Sequence, residues 1–224
     1  MTESVRRAVT ADERKFAQRC ARGRVVVIDD DAEILSALAT LLDFEGYACE
    51  TYPSAPAYLQ ALSDDRPCFP GPCCVLCDVK MPELDGLELQ QRLAALEHAP
   101  LLLMSGASGA LEAVSAFRAG ALDFLIKPID ADVLLQAVVK ALAVSLERQR
   151  ARGRRHDLVA RMAALTGKER AVARLAARGR LNREIAVELD IALRTVKLHR
   201  QRAMEKLGAN SVVDLARIAD EGGL

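Results

Sequence analysis

The chain has 224 residues, 51% of them hydrophobic, and its 31 basic and 31 acidic side chains cancel. That is enough for two ordinary domains, and no apolar run approaches the roughly 18 residues of a membrane span. The opening residues are polar and basic, unlike a secretory signal, and the six cysteines follow no framework spacing, which suits reduced thiols rather than a disulfide scaffold.

Neutrality hides a segregation. Residues 24–128 hold 6 Lys/Arg against 16 Asp/Glu, whereas residues 129–224 hold 19 against 12. An acidic part joined to a basic part suggests two domains with different partners, the first suited to a cation and the second to a polyanion.

Residues 1–23 carry Arg6, Arg7, Arg14, Lys15, Arg19 and Arg22 on a weak helical pattern. A solvated tail is expected there, with a nucleic-acid-binding arm as the alternative. Arg24–Ile28 is a β-branched run, the mark of a parallel strand buried on both faces, and it ends on Asp29, Asp30 and Asp31. Three adjacent acids repel one another unless a cation or N–H donors neutralise them. Asp31 precedes the helical stripe Ile34, Leu35, Leu38, Leu41 and Leu42 and can cap it, leaving Asp29 and Asp30 as the free pair. A Mg2+ ion takes few carboxylates and keeps several waters, so it suits a shallow site at strand ends.

Gly46 stops that helix, 47–52 reads as a second strand, and Ser54 with Pro56 opens a helix through Tyr58, Leu59 and Leu62. A loop over 63–72 carries Cys68 and leads into Cys73, Cys74 and Cys77. A metal site wants paired CxxC spacings with further ligands, and no histidine is close in sequence. Cys74 and Cys77 therefore read as core thiols, with redox activity as the alternative.

Val75, Leu76 and Cys77 form a third buried strand that ends on Asp78, and the chain breaks at Pro82. Leu84–Asp85–Gly86 supplies a turn before a helix over 87–96. Asp78 stands at the carboxyl end of a central strand, where open α/β sheets bind ligands. It is a metal ligand, a nucleophile, both, or the start of a turn. The next strand, Leu101–Met104, ends on Ser105-Gly106; a helix over 111–119 stops at Gly120; and 122–126 is a last strand ending on Lys127-Pro128. Five strand–helix repeats describe a doubly wound α/β sheet. If the strands are parallel, Asp29, Asp30, Asp78, Ser105 and Lys127 meet at one rim. Acids for a cation, one acid for attack, a hydroxyl donor and a fixed positive charge suit phosphoryl transfer to a carboxylate.

Residues 24–140 resemble the receiver domain of two-component response regulators, with the flavodoxin/CheY-like fold of five parallel strands. The stretch Gly120-Ala121-Leu122-Asp123-Phe124-Leu125-Ile126-Lys127-Pro128 resembles the FixJ-type subgroup. The resemblance implies that Asp29, Asp30 and Asp78 hold Mg2+ with the main-chain carbonyl of Lys80. It makes Asp78 the phosphoacceptor for a sensor histidine kinase. Ser105 would hydrogen-bond a phosphoryl oxygen, Lys127 would pair with one through a cis Lys127–Pro128 bond, and Phe124 would be the aromatic switch. Two features depart from that subgroup: a longer loop before the Asp78 strand, and Ala107 where a histidine is frequent, which bears on the lifetime of the phosphorylated state.

From Asp130 the stripe Val133, Leu134, Ala137, Val138, Ala141, Leu142 and Leu146 predicts one long helix, running through an arginine-dense stretch to Ala164. Gly153 would weaken it, and a hinge near 150–155 is the alternative. Thr166 and Glu169 have capping-box spacing ahead of Val172 and Leu175. Asn182 caps a helix with Ile185, Ala186 and Leu189 inward. Asp190-Ile191-Ala192 is a turn. Leu193–Leu207 is a helix carrying Arg194, Lys197, His199, Arg200, Arg202 and Lys206, and Ser211 caps a last helix. Two helices joined by a tight turn, the second one basic, form a helix-turn-helix pattern.

Residues 162–221 resemble the LuxR/NarL-type helix-turn-helix domain through Leu165-Thr166, Glu169, Asn182-Arg183-Glu184-Ile185-Ala186, Thr195-Val196-Lys197-Leu198-His199-Arg200 and Lys206-Leu207-Gly208. The resemblance implies a four-helix domain in which Lys197, Leu198 and Gln201 face base edges. Thr195, His199 and Arg200 would touch phosphates or pack, with Arg183 also on the DNA side. Ala192 stands where a capping serine is frequent.

The expected organisation is a basic extension (1–23), a receiver (24–140), a helical linker (141–161) and a helix-turn-helix domain (162–224). The expected function is that of a FixJ/NarL-type response regulator. It would be a cytoplasmic phosphoprotein rather than an enzyme, with Mg2+ as its cofactor. Its partners would be a sensor histidine kinase, double-stranded promoter DNA, a second copy when phosphorylated, and RNA polymerase, with no membrane. Two competitors remain: a Mg2+-dependent aspartyl phosphohydrolase, which wants a carboxylate where Lys80 stands, and a redox-sensing regulator.

Overall fold

The computed structural model describes residues 22–63, 71–95, 99–106 and 110–223. The expectations for residues 1–21, for Cys68 and for Ala107 fall outside these. The chain divides between Gln149 and Arg150 into two compact units.

In the first unit, β-branched and leucine-rich runs make β1 (Arg24–Ile28), β2 (Ala48–Tyr52), β3 (Cys73–Asp78), β4 (Leu101–Ser105) and β5 (Asp123–Ile126). They alternate with α1 (Ala32–Phe44), α2 (Ala55–Ser63), α3 (Gly86–Ala95), α4 (Ala110–Arg118) and α5 (Ala131–Ala163). Element ends fall within two residues of those expected. All pairings are parallel, and the strand order is β2-β1-β3-β4-β5.

Period-two alternation sends Val26, Ile28, Val75, Cys77, Leu101 and Leu103 to one face, against Tyr58, Leu89, Leu93 and Ala116 of α2, α3 and α4. Val25, Val27, Cys74, Leu76, Leu102 and Met104 face the other way, against Leu42 of α1 and Leu134, Val138 and Leu142 of α5. Helices on both faces explain why the strands read as unbroken apolar runs. Asp31 caps α1, accepting from the Glu33 and Ile34 amides at 2.8 and 3.3 Å.

Helix α5 passes through Gly153 without a break, as the helical reading of this stretch expects. Its buried Ser145 accepts a hydrogen bond from the Cys73 amide at 3.0 Å, and Gln149 donates to the Gly71 carbonyl at 2.7 Å. These two contacts fix the start of β3.

The second unit contains α6 (Gly167–Ala177), α7 (Asn182–Glu188), α8 (Leu193–Leu207) and α9 (Val212–Gly222) around Val172, Ile185, Val196, Ala203, Leu207 and Leu215. Leu158 and Met162 of α5 pack on the same core. Thr166 and Glu169 form the expected capping box, and Ser211 caps α9. Asn182 does not cap α7: it is the first helical residue, and Leu181 holds the cap position. A leucine has no side-chain acceptor, so only the reverse bond exists, from the Leu181 amide to the Glu184 carboxylate at 2.9 Å. Asn182 serves another contact, described below.

Candidate functional site

Parallel register sets the rim of the first unit. Ile28 is level with Cys77, and Asp78 is level with Met104. Asp29, one residue past β1, therefore stands beside Asp78 at the end of β3. Ser105 is level with Ile126, and Lys127 follows directly. Order 2-1-3-4-5 puts the strand-order reversal between β1 and β3, where open α/β sheets place their ligands.

Lys127 bridges the two acids: its Nζ lies 2.5 Å from Asp78 Oδ1 and 2.7 Å from Asp29 Oδ2. The second oxygens are held by main-chain donors. Asp78 Oδ2 accepts from the Lys80 amide at 2.7 Å, and Asp29 Oδ1 from the Asp31 amide at 3.0 Å. Asp29 is only 1% exposed and Asp78 7%. Burial works against the Lys127 charge, but its hydrogen bonds to Asp29 and Asp78, and their charges, raise its pKa above the ordinary lysine value. The Lys127–Pro128 bond is cis, and the Lys127 amide donates to the Ser105 carbonyl at 2.8 Å.

Ser105 is buried at the end of β4, and Phe124 is half-buried against the core on the α2–α4 side of the sheet. Asp30 is exposed and joins no ion pair among the described residues. No three His, Cys, Asp or Glu side chains among the described residues form a ready-made metal cage.

Gly86 was legible only as a turn residue. A Cβ there would sit 2.4 Å from the Asp78 carbonyl oxygen and 2.8 Å from Leu103. The Gly86 amide instead donates to the Val79 carbonyl at 3.0 Å, folding the loop after β3 back onto that strand's end.

Burial disfavours the thiolate at the described cysteines. Cys73, Cys74 and Cys77 are buried and form no disulfide among the described residues, and burial pushes the Cys74 and Cys77 thiols well up, with Asp78 and Asp29 adding to the effect at Cys77. Cys49 is pushed up to about 12, mainly by burial.

In the second unit, Lys197, Leu198 and Gln201 lie exposed on α8, as does Arg183 on α7. Val196 faces the core, so the helix presents its neighbours outward. Thr195, His199 and Arg200 are half-buried. Arg200 donates to Asn182 Oδ1 at 2.7 Å, tying α8 to α7. His199 Nδ1 is buried and has no hydrogen-bond partner among the described residues. Ala192 supplies no side-chain cap to α8. Lys206 reaches Glu169 at 2.6 Å and the Ala164 carbonyl at 3.1 Å, locking the end of α8 to the start of α6. Its hydrogen bond with Lys206, aided by bonds to Thr166, holds the Glu169 carboxyl down at about 2.

Comparison with known proteins agrees with this geometry. A family model for the response regulator receiver domain matches residues 25–139, and one for bacterial regulatory proteins of the luxR family matches 163–219. The transcriptional regulatory protein FixJ of Bradyrhizobium diazoefficiens is 37% identical over 206 residues, which is 91% of this chain and 97% of that protein. The response regulator protein TmoT of Ectopseudomonas mendocina is 35% identical over 197 residues, 88% of this chain and 87% of its own. A low-resolution structure of the response regulator StyR superposes with a TM-score of 0.77 at 35% identity, covering 88% of this chain and 98% of that one.

Proposed function

Since the chain belongs to the response regulators that join a receiver domain to a LuxR-type DNA-binding domain, and so regulates transcription rather than turning over an external substrate, we propose that Asp78 is its phosphoacceptor. The observation that carries this reading is the Lys127 bridge, which puts a fixed cation against the Asp78 carboxylate at the sheet's strand-order reversal. A phosphohistidine of a sensor kinase gives its phosphoryl group to an Asp78 oxygen: the P–N bond breaks and a P–O bond forms. Lys127 then pairs with the new charge, and Ser105, one residue past the level of Asp78, donates its hydroxyl. Later attack by water returns Asp78 to its free form.

The donor set fits Mg2+. Asp29, Asp30 and the Lys80 carbonyl would hold it with Asp78, all of them hard oxygens, and its chemistry is to neutralise the phosphoryl oxygens. This ion takes few carboxylates and keeps several waters, so it needs no closed protein cage.

The proposed domains are a receiver over 24–140, a helical linker over 141–161 and a helix-turn-helix domain over 162–224, acting in the cytoplasm. Lys197, Leu198 and Gln201 read base edges, while Arg183, Thr195, His199 and Arg200 set the register on phosphates. Phosphorylation draws Ser105 toward the phosphoryl group and lets Phe124 turn inward. Val114 and Phe117 on α4, Ile126 on β5 and Val133 on α5 leave apolar side chains about half exposed. That supports pairing of two receivers across this face, which brings two basic domains onto adjacent half-sites and RNA polymerase to the promoter.

The test is sedimentation of the full chain with Mg2+ and beryllofluoride, a phosphoryl mimic. The wild type moves toward a dimer and Asp78→Asn does not; a variant that still dimerises contradicts the reading.

A further inference from the structure

Beyond the luxR-family match at 163–219, the second unit includes a further stretch of α5, beginning at Arg150. Residues 150–156 hold Arg150, Arg152, Arg154, Arg155 and His156 with no acid among them, and all of these side chains are exposed. Leu158 and Met162 seat the helix on the core of the second unit, and Arg161 donates to the Leu207 carbonyl at the end of α8. Arg154 lies four residues before Leu158, about 6 Å along the axis. The cluster is therefore carried rigidly by the helix-turn-helix unit.

The local sequence works against its own helix. Arg150 and Arg154 stand at i,i+4, and like charges at that spacing destabilise a helix by a few tenths of a kcal/mol per pair. Gly153 adds about 1 kcal/mol against alanine. No leucine, valine, isoleucine or aromatic residue lies between Leu146 and Leu158, so the stretch offers no seam to a partner helix. A segment that gives up helix stability to display positive charge, with no apolar contact surface, suits a polyanion.

We infer that the arginine cluster over 150–155 of α5 is a second DNA-contacting surface that grips duplex phosphates. The inference rests on the helix-turn-helix unit binding DNA. The contacts carry no sequence information; they add affinity and salt dependence.

The test uses the full chain with Mg2+ and beryllofluoride, and a mixed-sequence duplex of about thirty base pairs, titrated at several salt concentrations. Arg154→Gln with Arg155→Gln keeps helix propensity nearly constant. Each lost phosphate contact removes about 0.9 from the slope of log K against log salt, so the slope should shrink by about 1.8 and affinity at 0.1 M salt should fall roughly tenfold or more. A Lys197→Ala/Gln201→Ala background should show the same further decrease, because the two surfaces are separate. Unchanged slope with unchanged circular dichroism overturns the inference. Tighter binding by the arginine variant also overturns it, by assigning the cluster to an acidic protein surface. Absence of duplex binding by the wild type removes the underlying reading instead.

Discussion

The Lys127 ammonium lies 2.5 Å from an oxygen of Asp78, and the same nitrogen lies 2.7 Å from Asp29. Two nearly buried carboxylates and one lysine thus form a triad with net negative charge. Lys127 holds the acids together without cancelling them, which leaves the rim able to accept a further cation.

Lys127→Ala should leave Asp29 and Asp78 facing each other unneutralised. Breaking a buried pair costs about 3 kcal/mol, reduced to about 2 kcal/mol here because the lysine reaches solvent. Urea melts should show that loss without divalent cation and partial recovery with millimolar Mg2+. Equal stability of variant and wild type without Mg2+ would contradict the triad.

Gly86→Ala should force the loop after β3 away from the Asp78 carbonyl. Overpacking of this kind costs about 2–3 kcal/mol. Phosphoryl uptake, followed by intact mass after acetyl phosphate treatment, should slow as well, because the loop carries the Lys80 amide that holds Asp78 Oδ2.

Glu169 gives the second unit an acid limit. Its carboxyl falls from an ordinary 4.5 to about 2 on folding, chiefly through Lys206. A depressed folded pKa stabilises fully above the unfolded value and is lost as pH falls through the folded one. Thermal melts should therefore show the helix-turn-helix transition weakening between about pH 4.5 and pH 2. Lys206→Gln should shrink that pH dependence.

Gly153→Ala should stabilise α5 by about 1 kcal/mol, since the position is helical and an added Cβ meets nothing within 4 Å. A loss of stability there would contradict the helical conformation at Gly153.

The four strands that carry the rim were legible because each announces itself twice, by an apolar run and by the polar residue that ends it. Asp31, Thr166 and Ser211 were legible as caps because capping is local. Asn182 was misread for the same reason: locally it fits a cap, but Arg200, eighteen positions on, takes its oxygen. Glu169 was read only as half of a capping box, because its ion pair with Lys206 depends on how α6 and α8 cross. Likewise Gly86 shows a turn in sequence, while its steric need arises from the Asp78 carbonyl and Leu103 across the fold. The Ser145 and Gln149 contacts with the start of β3 left no trace in any local pattern.

The central claim is that Asp78 takes the phosphoryl group. The most direct measurement is peptide-level mass spectrometry after treatment with a small phosphodonor and Mg2+, with borohydride trapping of the acyl phosphate. The account predicts reduction at Asp78, abolished by Asp78→Asn or by withholding Mg2+. Trapping at any other carboxylate, or undiminished labelling of the Asp78→Asn chain, would contradict it.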